Sequence, residues 1–158
     1  MSTLFSVIHP FTVHLPIAFF TLGFFSLCYW LFRGLTSGIF DNRIRDVGHL
    51  ATQLGIIFLV VAALAGPHDA LLGPQHLFLV PGLRRWFAVK GTLVVLTFIT
   101  YATFLRLSRR RRKYLQEDGR LLLGCLVTQT LGYLFVVVIM VIGTMLAYHP
   151  DFLLGRGG

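Results

Sequence analysis

The sequence predicts an all-α integral membrane protein, a bundle of four transmembrane helices. Of its 158 residues, 56% are hydrophobic and only 13% are charged, whereas about 25% of a typical soluble domain is charged. Four apolar stretches of spanning length divide the chain, and backbone groups in lipid must pair within their own segment. We therefore expect four helices, and the composition excludes a disordered chain, a secreted disulfide scaffold and a polar nucleotide enzyme.

The four helices are expected at about residues 13–33, 47–66, 86–107 and 121–148. Pro16 suits the first turn of a helix, where its missing N–H costs little. The first apolar run has no basic segment before it and is long enough to span, so we expect an anchor and not a cleaved signal. The last run has 28 uncharged residues and must tilt or protrude from the bilayer.

The chain is expected to form a single domain, residues 1–158, without an internal repeat. Its longest interruption, residues 67–85, is apolar but broken by Pro and Gly. This composition predicts a loop or a short helix lying in the membrane interface.

The basic residues predict the orientation of the bundle. Four spans put both termini on one side, and ten of the fourteen Lys and Arg belong to the two connections on the other side. Basic residues favour the cytoplasmic side, so we expect both termini on the outer, periplasmic side of an inner (plasma) membrane. The run RLSRRRRK at 106–113 is then a topology anchor for anionic lipid and not a nucleic-acid site.

In this topology, five of the six histidines fall on the outer side. They are His9, His14, His68, His76 and His149. Neutral imidazole is a common ligand of metals and haem iron, and helix bundles hold cofactors between facing helices. The cluster favours a b-type haem near the outer face, ligated by His14 and His149 or by His9 and His68. Three or four of these histidines could instead hold Cu or Zn, and the alternative is that they only cap helix ends.

Other polar groups lie inside the predicted spans. Gln53 and the triplet Thr128–Gln129–Thr130 suit interhelical hydrogen bonds, and Gln129 is also a candidate contact for a quinone. Lys90 either extends its ammonium toward the interface or faces the histidines as a partner of the cofactor. With no Asp or Glu inside a predicted span, a proton-coupled transporter is not expected.

The two cysteines, Cys28 and Cys125, lie far apart in apolar stretches. The chain has no CxxC or CxxCH motif, which excludes covalently attached c-type haem and cysteine-rich metal sites. We interpret both as small buried hydrophobic residues.

One motif resembles a known family. His9-Pro10 followed by VHLPIA at 13–18 is similar to the HPxxVHFPIA opening of a family of predicted four-helix bacterial membrane proteins, domain of unknown function 2231. Gly66 and Asp69 resemble the Gly and Asp near the end of that family's second helix. The resemblance covers most of the chain and implies a bacterial inner-membrane protein.

The final helix adds to the resemblance. Gly143 with Tyr148-His149 is similar to the family's Gly-rich last helix, which ends in Tyr and His. There are two departures: Lys90 stands where the resemblance implies a His, and residues 150–152 (PDF) replace a glycine-rich tail.

Some members of that family are joined to cytochrome c modules, which implies a redox setting. We therefore predict a small membrane subunit of a respiratory or redox complex that passes electrons from quinol to a periplasmic cytochrome c. The alternative is a non-catalytic accessory subunit that packs against a larger membrane complex. In either case the chain is expected to be an electron-transfer or accessory subunit and not a stand-alone enzyme.

Overall fold

A computed structural model describes the fold of residues 2–72, 81–109 and 119–148, and the side chains of 14–65, 82–108 and 119–146. The described residues form four helices: α1 (Ser2–Ser37), α2 (Asn42–Leu72), α3 (Pro81–Arg109) and α4 (Gly119–Tyr148). Each helix contains a stretch long and apolar enough to cross a membrane. The prediction of an all-α, multi-pass four-helix membrane protein is confirmed.

The helices extend beyond the predicted spans. α1 already begins at Ser2, and α2 continues through Pro67 to Leu72. α3 begins at Pro81, where a proline without an N–H is well tolerated. The spans predicted from hydropathy stop where apolar character stops, whereas a helix can continue in water or headgroups. Residues 67–72 and 81–85 are therefore helical, and residues 73–80 of the predicted loop lie outside the described residues.

The turn between α1 and α2 has clear helix-ending signals. Gly38 takes a φ of 70°, a left-handed conformation that suits glycine, and its N–H donates to the Gly34 carbonyl at 3.0 Å. Asp41 then accepts a hydrogen bond from the Arg43 N–H at 3.0 Å, as an N-cap side chain does. These two local signals reverse the chain tightly and set α1 against α2.

The bundle consists of two helical hairpins. α1 packs closely along α2 to form the first hairpin, and α3 packs along α4 to form the second. The hairpins meet less extensively, through α2 against α3 and α1 against α4. We call the surface along which they meet the seam.

The two hairpins repeat each other. The buried positions of α2 recur in α4 at one constant spacing: Gly48 with Cys125, Thr52 with Gln129, Gly55 with Gly132, and Leu59 with Val136. Those of α1 recur in α3 at a second constant spacing: Pro16 with Thr97, Phe20 with Tyr101, Gly23 with Phe104, and Leu27 with Ser108. Residues 54–61 (LGIIFLVV) and 131–138 (LGYLFVVV) are identical at five of eight positions. The same buried positions therefore recur in both hairpins, and we call this recurrence, which we did not predict, the internal repeat.

An aromatic stack joins the two hairpins near the middle of the bundle. The rings of Phe20 and Tyr101 stack with centroids 4.1 Å apart and planes 2° apart. Each ring also covers a glycine of its own hairpin, Phe20 over Gly55 and Tyr101 over Gly132. These two ring–glycine pairs hold matching positions in the two hairpins, and we call the line that runs along the bundle through the stack the axis of the bundle.

Candidate functional site

Because successive helices run in opposite directions, most of the histidines belong to helix ends on one side of the bundle. The starts of α1 and α3 and the ends of α2 and α4 lie at this end, which we call the histidine end. His9 and His14 belong to the first half of α1, and His68 belongs to the last turns of α2. His149 directly follows the last residue of α4 and, like His76, lies outside the described residues.

His14 does not face the interior of the bundle. Its side chain is exposed, whereas Pro16, Phe20 and Gly23 form the buried face of α1. The side chains of His9 and His68 lie outside the described set. Among the described side chains, no group of three His, Cys, Asp or Glu could hold a metal ion. The predicted haem ligand pairs, and the predicted Cu or Zn site, therefore stay predictions.

Lys90 is directed inward. It shares a face of α3 with the buried residues Leu83, Thr97 and Tyr101, and its Nζ lies 3.2 Å from where a Cβ on Gly143 of α4 would be. The ammonium of this half-buried side chain thus lies against the backbone of α4, and its role as a partner of a cofactor stays a prediction.

No described side chain neutralises Lys90. The ion pairs between described side chains, Arg33 with Asp41 and Arg45 with Asp46, lie at the opposite end of the bundle. An ionisable group on the inner face of a membrane bundle is costly without a partner and commonly marks a functional site. Lys90 is therefore a candidate contact for an anionic group at the histidine end.

A second group of polar side chains lies along the seam. Gln129 is 1% exposed, and Thr52 and Tyr101 are 0% exposed. Gln129 Nε2 and Thr52 Oγ1 lie 3.4 Å and 2.7 Å from where a Cβ on Gly23 would be. The amide of Gln129 therefore reaches from α4 across the seam to the first hairpin, and the glycine at 23 makes room for it.

Several of these buried polar atoms have no hydrogen-bond partner among the described residues. They are Gln129 Nε2, Gln129 Oε1 and Tyr101 Oη, together with Trp30 Nε1 nearer the opposite end. Thr52, in contrast, donates its hydroxyl hydrogen to the Gly48 carbonyl at 2.9 Å. Buried polar atoms are nearly always paired, so these atoms mark a place where a water, an ion or a ligand can bind.

His49, the one histidine predicted at the other membrane face, joins the hairpins there. Its Nδ1 lies 3.3 Å from Ser108 Oγ of α3, and its ring packs 5.3 Å from that of Phe104. These contacts explain His49 as a packing residue of the seam.

The sequence interpretation singled out Lys90 and Gln129 but missed Thr52 and Tyr101. A signal was available for Thr52 only, because aligning residues 54–61 with 131–138 pairs it with Gln129. The same spacing places Tyr101 opposite Phe24, and its pairing with Phe20 follows only from the pattern of buried positions.

Comparisons with known proteins give a family. No curated protein and no solved structure matches the chain. The family model described as "Predicted membrane protein (DUF2231)" matches residues 6–150, nearly the whole sequence. The chain therefore belongs to the DUF2231 family of predicted membrane proteins.

Proposed function

We propose that the protein is a small membrane subunit of a respiratory or redox complex that holds a b-type haem at the histidine end. The observation that carries this proposal is the convergence of His9, His14 and His68 with the inward Lys90 at one end of the bundle. Such a haem, held by two of the histidines at this end, would supply one-electron chemistry between quinol in the membrane and a periplasmic cytochrome c.

Helix register favours His9 as one haem ligand. His9 precedes Phe20 by eleven residues, which is about three helical turns, so its position falls on the buried face of α1. His14 lies on the exposed face of the same helix. A ligand from α2 or from the end of α4, His68 or His149, would complete a pair across the histidine end.

The repeat supports a role for Lys90 at the same site. The spacing that aligns Phe20 with Tyr101 also aligns His9 with Lys90, so the two residues hold equivalent positions in the two hairpins. A haem carries two anionic propionates, and Lys90 would supply one of them with the positive charge that a buried carboxylate needs.

The test is the optical spectrum of the gently purified protein, reduced minus oxidised, with haem and metal analysis on the same sample. We expect about one b-type haem per chain. Single His→Ala variants at 9, 14, 68 and 149 identify the ligands, and we expect His9→Ala to lose the haem and His14→Ala to keep it. His49→Ala, at the opposite end, is the matched control. Full haem retention in all four variants, or a colourless and metal-free wild type, would refute the proposal.

A second candidate is a non-catalytic accessory subunit, and the exposed surface favours it. Only 22–28% of the residues in each span are buried inside the bundle. Phe25, Tyr29 and Phe32 form a row along α1 and are 57%, 55% and 66% exposed. Aromatic residues on one helical face suit packing against another membrane helix.

This second candidate predicts that the protein co-purifies with larger membrane subunits and has no cofactor of its own. Tyr29→Ala should then reduce the yield of that complex more than Leu64→Ala, a change at an exposed residue of α2. A coloured protein that is stable in isolation and co-purifies with nothing would contradict it.

A further inference from the structure

The seam carries more unpaired polar atoms than a closed packing surface should. Gln129 offers both a donor and an acceptor, and Tyr101 offers a hydroxyl, and none of these atoms has a partner among the described residues. Both side chains are at least 99% buried. Leaving such groups unpaired in a dry interior is costly, so the protein is expected to provide them with a partner.

The side chains of Gln129 and Tyr101, from α4 and α3, meet the same stretch of α4. The Cζ of Tyr101, which bears the hydroxyl, lies 2.9 Å from where a Cβ on Gly132 would be. Gly132 follows Gln129 by one helical turn on the same buried face. The phenol of α3 and the amide of α4 therefore approach one region of the seam, near the middle of the helices.

The position of this region is itself informative. In many secondary transporters built from internal repeats, substrate sites lie at the interface between the repeats, near the middle of the bilayer. Here the Phe20–Tyr101 stack joins the two hairpins, and the unpaired hydroxyl belongs to one of its rings.

The surrounding groups limit what can bind. The buried polar side chains of this region, Thr52, Thr97, Tyr101 and Gln129, are all uncharged. An ion would find no opposite charge there, whereas a neutral oxygen that both donates and accepts hydrogen bonds would match an amide and a phenol.

We propose that the seam binds a neutral hydroxyl-bearing ligand between the Gln129 amide and the Tyr101 hydroxyl. Its source is either a water molecule or the hydroxyl of a quinol headgroup. Only the quinol source rests on the redox function proposed above, and the water source is independent of it.

The experiment is a double-variant cycle on the full chain in detergent, with the midpoint of thermal unfolding (Tm) as the readout. The variants are Gln129→Leu, Tyr101→Phe and the two combined. Tyr101→Phe removes only the hydroxyl and keeps the ring that stacks on Phe20, so it tests the site without disturbing the axis. Thr130→Leu, at the exposed neighbour of Gln129, is the matched control.

If the two side chains share one ligand, each single variant lowers the Tm by several degrees, and the double variant lowers it little further than the larger single effect. The control leaves the Tm nearly unchanged. The proposal is overturned if either single variant raises the Tm, as expected when an unsatisfied polar group is removed, or if the two effects simply add.

A second arm identifies the source of the ligand. A short-chain benzoquinol is added to the wild type and to Gln129→Leu. A rise in Tm that occurs in the wild type and is lost in the variant identifies a quinol. Non-additive Tm effects of Gln129→Leu and Tyr101→Phe without any response to quinol identify water as the ligand. The redox proposal is then tested separately, by the haem spectrum.

Discussion

The glycines under the central aromatic stack should be irreplaceable by alanine, although alanine is the better helix former. A Cβ at Gly55 would lie 2.7 Å from Cδ1 and Cε1 of Phe20, and a Cβ at Gly132 would lie 2.9 Å from Cζ of Tyr101. Carbon atoms in good contact lie about 3.5–4.0 Å apart, so each ring would have to move by roughly 1 Å. Neither ring has free space toward the axis, because the two rings stack on each other at 4.1 Å.

The expected loss of stability can be estimated by comparison with a third glycine. Gly91 lies on the exposed face of α3, and a Cβ there would meet nothing within 4 Å. Gly→Ala in a helix stabilises by roughly 0.5–1 kcal/mol when the new methyl group meets nothing. Adding a methyl group to a packed interior costs about 1–3 kcal/mol. The stabilisation that comes from the higher helix propensity of alanine is the same at all three positions. Gly55→Ala and Gly132→Ala should therefore each be less stable than Gly91→Ala by about 1–3 kcal/mol.

The assay is unfolding of the purified protein in mixed micelles with a rising fraction of sodium dodecyl sulfate, followed by circular dichroism. Gly91→Ala should unfold at the same or a higher detergent fraction than the wild type, and the two axis variants at a lower fraction. The double variant Gly55→Ala/Gly132→Ala should depart from additivity, since both changes displace the same stack. Equal stability of all three single variants would show that the rings do not close over these glycines, and the argument for a packed axis would fail.

Three further predictions test other parts of the structure. Gly23→Ala should also be less stable than Gly91→Ala, because its Cβ would lie 2.7 Å from Thr52 Oγ1 and 3.2 Å from the Gly48 carbonyl oxygen, and the same unfolding assay measures this. In detergent, N-ethylmaleimide should label the half-buried Cys28 faster than Cys125, which is 1% exposed, and equal rates would contradict the packing of α4. The predicted orientation can be tested in a cysteine-free background with a membrane-impermeant maleimide, which should label Arg84→Cys in intact spheroplasts but Ser37→Cys only after lysis. The reverse pattern would show that the termini face the cytoplasm.

The architecture was predictable because the bilayer imposes simple requirements. Four apolar stretches of spanning length suffice to predict four helices, and the structure confirms them. The helix ends were harder to predict from the sequence. The predicted starts and stops followed the limits of apolar sequence, whereas α2 continues to Leu72 and contains His68, at a point where a loop or a separate short interfacial helix was expected to begin.

The interior of the bundle could be predicted only in part. Gln129 and Lys90 were recognisable because a polar group in an apolar run is conspicuous. Tyr101 was not, since a tyrosine in a membrane helix can equally belong to an interfacial belt. Its position on the axis depends on how two hairpins pack, and no local sequence pattern reports that.

The histidines show the same limit. The histidines gather at one end because successive helices run in opposite directions. Which way each side chain points depends on its helix register relative to the core, and the core must first be known. His14 lies in the motif that most resembles the family opening, yet its side chain is exposed. Helix register against Phe20 instead favours His9, which belongs to the same motif, so membership of the motif does not by itself indicate which histidine is the better candidate.

The internal repeat indicates where the two halves differ chemically. At repeat-related positions the first hairpin carries Thr52 and Phe20, whereas the second carries Gln129 and Tyr101. In each pair the packing role is shared, and the second hairpin adds a polar group that has no partner among the described residues.

The same holds at the histidine end, where Lys90 occupies the position equivalent to His9. A symmetric pair of hairpins would need only matching apolar faces to form a stable bundle. Among the differences between the halves, those at the axis add polar groups without a partner among the described residues, and the one at the histidine end places a lysine against α4. These two places are therefore where a function particular to this chain is expected.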